Sequence, residues 1–312
     1  MSGIGIVLNP HSRSNKRHPG RAERLGFIVG DRGSCYETNS LEDVARLAGE
    51  FKEKGIEVLG ISGGDGTLHK TLTAFINVYG DAPLPKIAFL RGGTMNNTAG
   101  LIGVHGTPEK ILSDLIVKYH ENKDFNTTEL NMINVNGYYG FLFGMGIVTK
   151  FLQEFEEKTK GDTRPIWAAL LLIKHMIGSL FNSKAACELG ARMDARVSVN
   201  GEELPFKNYS MLFAGTIESL CFNFRPLWLA RTLEKEFHFM GLSATPRQVV
   251  SLFPKAAFMK PIRAPYVIDR VGDKMTIDFP EPQLYSIDGD FPEPAVKHIA
   301  ISMGPKLTCI LS

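Results

Sequence analysis

The stretch Ile61-Ser62-Gly63-Gly64-Asp65-Gly66-Thr67-Leu68 joins an apolar run typical of a strand to a run with helical periodicity. Its three glycines let the backbone approach a phosphate closely and adopt conformations closed to other residues. A helix that begins here offers free N–H groups and the positive end of its dipole to an anion. No Gly-Lys-Ser/Thr follows, so the stretch is not a Walker A loop. It predicts a phosphate-binding turn, with a plain glycine turn beside a helix start as the alternative.

A second glycine-rich stretch, Leu90-Arg91-Gly92-Gly93-Thr94-Met95-Asn96-Asn97, also follows directly after a strand candidate. Two such turns about 25 residues apart suit a parallel sheet whose ligand lies at the carboxyl ends of its strands. Two further features are Asn9-Pro10, which follows the first strand candidate, and the acidic turn Asp288-Gly289-Asp290 near the C-terminus. Together they favour a nucleotide site over a plain turn.

In this order, the four elements resemble the diacylglycerol kinase catalytic-domain family, which includes bacterial diacylglycerol and lipid kinases, sphingosine kinases and ceramide kinases. The resemblance covers nearly the whole chain. Its segments are Leu8-Asn9-Pro10-His11-Ser12, Gly63 to Thr67, Gly93 to Asn97, the hairpin at 133–137 with 143–147, and Asp288-Gly289-Asp290.

The chain departs from the family pattern at four positions and lacks one further stretch of it. Asn97 stands where the family usually has Asp, and Asp290 stands where it usually has Glu. His69 and Lys70 replace a commoner Asn-Glu pair. The Pro-Asp…Asp-Asp-Gly stretch that supports a structural magnesium in some bacterial members has no clear counterpart between Arg225 and Gly241.

The resemblance implies ATP and Mg²⁺ as cofactors and assigns roles to individual residues. Asp290 is the candidate general base on the acceptor hydroxyl. Asp65 is the rival for that role and equally a magnesium organiser, and Asp288 is a second candidate metal ligand. The expected nucleotide-binding residues are Asn9, Thr38, Gly63, Gly64, Asp65, Gly66, Thr67, Gly93, Thr94 and Asn96. For Thr38 or Thr94 alone, a helix cap or turn hydroxyl is the alternative.

Composition indicates an ordinary protein of two domains. The 312 residues are 44% hydrophobic and 22% charged, with a formal net charge of +2. Cys35, Cys187, Cys221 and Cys309 show no paired spacing, which favours free thiols in a reducing cytosol. No nucleic-acid module or Cys/His metal spacing is recognisable, so we expect no nucleic-acid partner.

The pattern along the chain predicts two different folds. Residues 1–128 alternate apolar strands with helical faces, which argues for a parallel-sheet α/β nucleotide-binding domain. In residues 129–312, the Asn-Gly pairs at 136–137 and 200–201 and runs of alternation indicate antiparallel strands. Helical segments are expected at 165–181 and near 225–240. The resemblance implies that this second domain is a β-sandwich that binds the lipid. It leaves open whether the last strand of the chain returns to the sheet of the first domain.

The expected location is cytoplasmic with peripheral membrane contact. The chain opens on a strand candidate, Ile4 to Leu8, and no signal peptide is visible. The apolar run Ile166 to Phe181 is interrupted by Lys174 and His175 and is short of the roughly 20 residues of a span. Basic residues that belong to a solvated loop, or that bind phosphates or an anionic membrane, are Arg13, Lys16, Arg17, His18, Arg21 and Arg24. A homodimer is a further expectation.

The leading hypothesis is an ATP-dependent lipid kinase acting on a hydroxyl of diacylglycerol, a sphingoid base or ceramide. The alternatives are a soluble-metabolite kinase of NAD-kinase type and a lipid- or nucleotide-binding relative that has lost catalysis. Asn97 and Asp290 motivate the last alternative, whereas the two glycine loops argue against it.

Overall fold

The computed structural model describes residues 3–93, 96–121, 123–159, 164–218, 224–258, 260–292 and 294–311. The chain divides into two units, the first made of Met1–Leu130 with Pro305–Ser312 and the second of Asn131–Gly304. The elements of the first unit are β1 (Ile4–Leu8), α1 (Arg13–Lys16), α2 (Arg21–Val29), β2 (Gly33–Glu37), α3 (Leu41–Lys54), β3 (Val58–Ser62), α4 (Asp65–Tyr79), β4 (Lys86–Phe89), α5 (Asn97–Leu101) and α6 (Pro108–His120).

The first unit is built on a parallel sheet with the strand order β2-β1-β3-β4. β1 and β3 are buried along their whole length, as expected of strands covered by helices on both faces. The sequence predicts an apolar face for α4, and all of its members are buried, namely Leu68, Leu72, Phe75, Ile76 and Tyr79. For α3 the sequence predicts the face Leu41, Val44, Ala48 and Phe51, which is wrong only at Leu41. Leu41 is largely exposed because the helix begins there behind its Ser40 cap, and Leu47 packs inward instead.

The remaining elements belong mainly to the second unit. They are β5 (Thr127–Val135), β6 (Tyr138–Gly140), β7 (Leu142–Gly146), α7 (Ile147–Thr159), α8 (Pro165–Leu180), α9 (Lys184–Leu189), β8 (Met193–Asp194), β9 (Arg196–Val199), β10 (Glu202–Glu203), β11 (Asn208–Tyr209), β12 (Met211–Gly215), β13 (Phe237–Leu242), α10 (Pro246–Ala257), β14 (Val267–Gly272), β15 (Lys274–Gln283), β16 (Ser286–Ile287) and β17 (Val296–Ile310).

The second unit is an antiparallel β-sandwich, as predicted. One sheet has the order β14-β13-β12-β7-β16, and the other runs β10-β9-β15-β17 with β5 and β6 beside β17. The inner faces of both sheets contribute to one core, for example Leu212 and Phe239 from the first and Val197 and Ile277 from the second. The Asn-Gly pairs at 136–137 and 200–201 have positive φ at both residues, the type I′ hairpin geometry that the sequence predicted.

The helix expected near 225–240 was wrong. Among the described residues of this segment, only Ala230–Thr232 forms a short 3₁₀ turn, and Phe237–Leu242 is β13. β13 lies between β12 and β14 and is fully buried, so its apolar run has neither the helical period nor the strict alternation of a half-buried strand. The helix expected at 165–181 is α8.

The last strand ends in the first unit. Cys309 of β17 pairs in parallel with Ile87 of β4, and the Leu311 N–H donates to the Asn126 carbonyl at 2.8 Å. The side chains of Leu307 and Cys309 are buried there. None of the helices in the described ranges combines the length and apolarity needed to cross a bilayer.

Candidate nucleotide site

The carboxyl ends of the four parallel strands bring the predicted residues together. Asn9 follows β1, Thr38 follows β2, Gly63 follows β3, and the second glycine stretch follows β4. The backbone N–H of Asn9 donates to the Ser62 carbonyl at 3.0 Å, which joins the ends of β1 and β3. The Thr38 N–H donates to the Leu8 carbonyl at 2.9 Å, and its buried hydroxyl is 3.4 Å from the same oxygen. Thr38 therefore links the end of β2 to the end of β1 by hydrogen bonds.

The two glycine stretches pack backbone against backbone. A Cβ on Gly93 would lie 2.2 Å from the Gly64 Cα, and a Cβ on Gly92 would lie 2.7 Å from the Gly63 nitrogen. A Cβ on Gly63 would meet the Thr67 side chain at 2.3 Å. No real side chain fits at such distances, so the loops need glycine to touch each other. The sequence predicts only a close approach to phosphate for these glycines, and contact between the two loops is a second reason why glycine is needed there.

The N-terminus of α4 is left open at the centre of these loops. Its N-cap is Gly64, which has no side chain to cap the first turn. By contrast, α3 carries a full capping box from Ser40 and Asp43, and Thr107 caps α6. The first backbone N–H groups of a helix have no intrahelical partner and attract an anion. The arrangement suits a phosphate group at the start of α4.

Asn9 connects the end of β1 to this helix start. Its Nδ2 donates to the Thr67 Oγ1 at 2.8 Å, and its Oδ1 accepts from the His11 N–H at 2.8 Å. Both ends of the amide are thus engaged, and the Thr67 hydroxyl is held in a fixed orientation in the first turn of α4. The Asn-Pro motif therefore positions the first glycine loop.

A buried polar chain behind this site was missed from the sequence. Asn15 is 4% exposed, and its Nδ2 donates to the carbonyls of Asn9 at 2.8 Å and Ser62 at 3.0 Å. Arg21 is 5% exposed and donates to the Asn15 Oδ1 at 2.9 Å and, through Nε, to Glu109 at 3.0 Å. The prediction that Arg21 belongs to a solvated or phosphate-facing cluster was therefore wrong. The position of Arg21 among other cations in the sequence does not indicate that its side chain is buried.

The electrostatics of Glu109 follow from this contact. Burial raises the pKa of the Glu109 carboxyl, but hydrogen bonds from its own backbone N–H and from the Arg21 guanidinium outweigh burial. The attraction of Arg21 and Arg24 acts in the same direction, and the pKa lies below its ordinary value. Glu109 is therefore ionised at neutral pH and holds Arg21 in place.

Asp65 is the first residue of α4 and is half-buried. Its Oδ1 accepts a hydrogen bond from the backbone N–H of Thr98 at 3.2 Å, which ties the start of α4 to α5. A carboxylate at a helix N-terminus is also stabilised by the helix dipole. Asp65 thus has a structural contact in addition to the chemical roles predicted for it.

The second loop uses its own amide to hold its shape. Asn96 is buried with φ 47°, its Oδ1 accepts from the Gly93 N–H at 3.0 Å, and its Nδ2 donates to the Gly93 carbonyl at 3.0 Å. Thr94 lies outside the described residues. His69 is 1% exposed, as expected of a packed histidine.

Asp288 and Asp290 lie in a hairpin turn of the second unit. Asp288 and Gly289 have φ 51° and 91°, and Ile287 and Asp290 exchange two backbone hydrogen bonds of 2.9 Å. The Asp288 carboxylate accepts from the N–H groups of Phe141 at 3.1 Å and Leu142 at 2.9 Å. Asp288 therefore secures the turn, and its predicted metal role stays a prediction. The Asp290 side chain is half-buried.

No cluster of three His, Cys, Asp or Glu side chains suited to a metal ion occurs in the described ranges. Magnesium at nucleotide sites needs no such cluster, since it is usually held by one or two carboxylates together with substrate phosphates and water. Asp65, beside the open start of α4, fits that mode.

Comparison with known proteins agrees with this geometry. Residues 4–127 match the family model described as the diacylglycerol kinase catalytic domain. A curated relative from Salmonella arizonae, named "Probable lipid kinase YegS", is 30% identical over 120 residues, which are 38% of this chain and 38% of that relative.

Solved structures extend the likeness of the fold to the whole chain. A diacylglycerol kinase from Bacillus anthracis str. Sterne matches with a TM-score of 0.66 at 14% identity, covering 100% of this chain and 97% of the other. A further structure from the same organism gives a TM-score of 0.71 at 14% identity over the same shares. The resemblance predicted from the sequence is confirmed, since residues 4–127 match the model of the diacylglycerol kinase catalytic domain.

Proposed function

We propose that this protein is an ATP-dependent lipid kinase that phosphorylates a hydroxyl of diacylglycerol or of a sphingoid or ceramide-type lipid. The observation that carries the proposal is the open N-terminus of α4 beneath two packed glycine loops, inside the stretch that matches a diacylglycerol kinase catalytic domain. Phosphoryl transfer depends mainly on positioning and charge neutralisation, which is what such a site offers.

Different residues of the first unit bind the phosphate, position the loop and hold the metal ion in this proposal. The backbone N–H groups of Gly66 and Thr67, in the first turn of α4, bind a phosphate of ATP. Asn9 fixes the Thr67 hydroxyl, and the chain from Arg21 through Asn15 fixes Asn9. Asp65 would hold magnesium, and the bound ion would supply positive charge to offset the negative charge of the transferred phosphoryl group.

Asp290 is proposed as the general base that accepts the proton of the acceptor hydroxyl. Its backbone is held by the bridge to Ile287, and the preceding Asp288 anchors the turn to the backbone of β7. A rigid turn favours this role because a base must be held within hydrogen-bond reach of the proton that it removes.

The proposal is tested with the full chain, magnesium–ATP and a panel of acceptors in mixed micelles. The panel contains diacylglycerol, sphingosine and ceramide, with NAD and detergent alone as controls. We expect phosphorylated lipid with one of the three, and loss of the product when magnesium is chelated. Phosphorylation of NAD instead would identify the soluble-metabolite kinase, and nucleotide binding without any product would identify a non-catalytic relative.

A further inference from the structure

The second unit exposes a continuous aliphatic surface along α8, which we call the α8 ridge. The ridge residues are Ile166, Leu170, Ile173, Ile177 and Leu180, and their exposed fractions lie between 49% and 56%. Their spacing of three and four residues places them in one stripe along the helix. Isolated apolar residues on a surface need no explanation, whereas a contiguous stripe marks a surface that meets an apolar partner.

The opposite face of α8 shows that this exposure is not a by-product of packing. The inward face carries His175 and Ser179, both buried, beside Ala168 and Leu171. The His175 Nε2 lies 2.6 Å from the Glu154 Oε2, and the Ser179 hydroxyl donates to the His175 carbonyl at 2.7 Å. The helix thus buries two polar side chains among apolar ones and presents aliphatic side chains to solvent, where a surface helix that only packs on a core would carry polar ones.

The charged residues around the α8 ridge indicate which kind of partner it binds. Residues 163–187 contain Arg164, Lys174 and Lys184 and no Asp or Glu. The Arg164 guanidinium lies over the Trp167 ring at 5.6 Å, and the Lys174 side chain is 57% exposed. Cations and a tryptophan beside an aliphatic stripe are the composition of a helix that lies in the interface of an anionic bilayer.

The acidic residues of the neighbouring helices leave this pattern intact. Glu154 is hydrogen-bonded to His175 and paired with Lys158 and Lys174. Glu156 and Glu157 lie on α7, outside the ridge itself. Glu188 lies on α9, 3.9 Å from the Nζ of Lys184, whose side chain is 91% exposed. A groove of about 510 Å³ beside α8 repeats the same chemistry, since its lining includes Phe155, Trp167, Leu170 and Leu171 with Lys158 and Lys174.

We infer that the α8 ridge docks this protein onto a membrane surface rich in anionic phospholipids. The inference rests on the proposed function in one respect, since a lipid acceptor places the enzyme at a bilayer. The helix has 16 residues, about 24 Å at 1.5 Å per residue, against the roughly 30 Å of a hydrocarbon core. It therefore lies in the interface, and aliphatic side chains enter the acyl boundary while Arg164, Lys174 and Lys184 meet the phosphates.

The test uses the full chain, without nucleotide, and sedimentation with phosphatidylcholine vesicles that contain or lack phosphatidylglycerol. We expect the double variant Ile173→Ser with Ile177→Ser to partition into the anionic vesicles at least ~10-fold more weakly than the parent chain. Lys174→Gln with Lys184→Gln should remove most of the preference for the anionic vesicles. The matched control is Leu41→Ser with Val117→Ser, which lie on the first unit with 54% and 55% exposure and should leave binding unchanged.

A second measurement locates the contact without a change in the ridge. Bromine-labelled phospholipids should quench tryptophan emission in the parent chain, and the quenching should be lost in Trp167→Phe, since Trp228 is the other tryptophan. Unchanged vesicle binding by the ridge variant, or an equal loss in the control pair, would overturn the inference. A ridge variant that turns a lipid-free dimer into a monomer would show that a second copy covers the ridge instead. Both measurements are made without nucleotide, so their outcome does not depend on whether the protein phosphorylates a lipid.

Discussion

At the scale of single residues, two variants of Asp65 distinguish the structural contact of this side chain from its proposed chemical role. Asp65→Asn keeps an oxygen that accepts from the Thr98 N–H, now 3.2 Å away, and removes only the charge. If Asp65 organises magnesium, we expect phosphoryl transfer to fall at least ~100-fold while the melting temperature changes little. Asp65→Ala is the companion variant, which loses the hydrogen bond as well and should lower the free energy of unfolding by about 1 kcal/mol. Near-normal turnover by a folded Asp65→Asn would make this residue purely structural.

Asp290 is tested against its neighbour in the same turn. Asp290→Asn should abolish single-turnover transfer to a short-chain lipid and leave nucleotide affinity unchanged, because a base meets the acceptor and not the phosphates. Asp290→Glu should keep part of the activity if the longer side chain is accommodated. Asp288→Asn is the contrast, since Asp288 secures the backbone of β7 and its loss should lower stability first. Full activity in Asp290→Asn would leave Asp65 as the better candidate base.

At the scale of the elements, contact between the two glycine loops predicts an order of effects. Gly93→Ala places a Cβ 2.2 Å from the Gly64 Cα and must push the loops apart, whereas Gly64→Ala meets the Gly93 Cα at 3.3 Å and needs only a small shift. We expect Gly93→Ala to lose nucleotide binding and Gly64→Ala to weaken it, both measured by calorimetry with magnesium–nucleotide.

The control for this pair is Gly49→Ala in α3. Apart from its chain neighbours and the adjacent backbone of α3, no atom of the described residues lies within 4 Å of a Cβ built there. Replacing a helical glycine by alanine should raise the free energy of unfolding by roughly 0.5–1 kcal/mol. Equal nucleotide affinity in Gly93→Ala and Gly49→Ala would contradict the importance of the loop contact.

The contact between α2 and α6 predicts a pH dependence of stability. The pKa of Glu109 is lowered from 4.5 in the folded chain, so the Arg21–Glu109 pair stabilises the fold above that value. The stabilisation is lost as the pH falls through the folded-state pKa. Glu109→Gln should therefore cost about 1–3 kcal/mol at pH 7 and progressively less below pH ~4.5, measured by denaturant unfolding. An equal loss of unfolding free energy in Glu109→Gln at neutral and at acidic pH would show that the charge of Glu109 does not contribute to stability.

The elements also show where sequence reasoning succeeds and where it stops. The loops at Gly63 and Gly93 were predictable because glycine, strand and helix signals follow one another directly in the chain. Arg21 and the exposed stripe of α8 were not predictable, because burial there depends on Glu109 and on α7, which are distant in sequence. β13 was missed for the same reason, since its apolar run takes its conformation from the strands on either side.

At the scale of the whole molecule, the C-terminal residues complete the first unit. The terminal part of β17 buries Leu307, Cys309 and Ile310, and its backbone joins Ile87 of β4. Burial raises the pKa of the Cys309 thiol to about 12, which keeps it protonated. Fully burying an aliphatic side chain of this size stabilises by about 1.5–3 kcal/mol. The last eight residues therefore contribute an appreciable share of a typical folding free energy of 5–15 kcal/mol.

We therefore predict that a chain ending at Gly304 loses nucleotide binding although every predicted nucleotide contact is still present. Hydrogen exchange should show β4 unprotected in the truncated chain, while β12 and β13 stay protected because the sandwich core does not include the deleted residues. The matched control is Lys306→Gln, which removes only the exposed pair with Glu129 and should cost less than about 1 kcal/mol. Normal protection of β4 after truncation would show that the first unit folds from residues 1–130 alone. Simultaneous loss of protection in β12 and β13 would show that the two units unfold together.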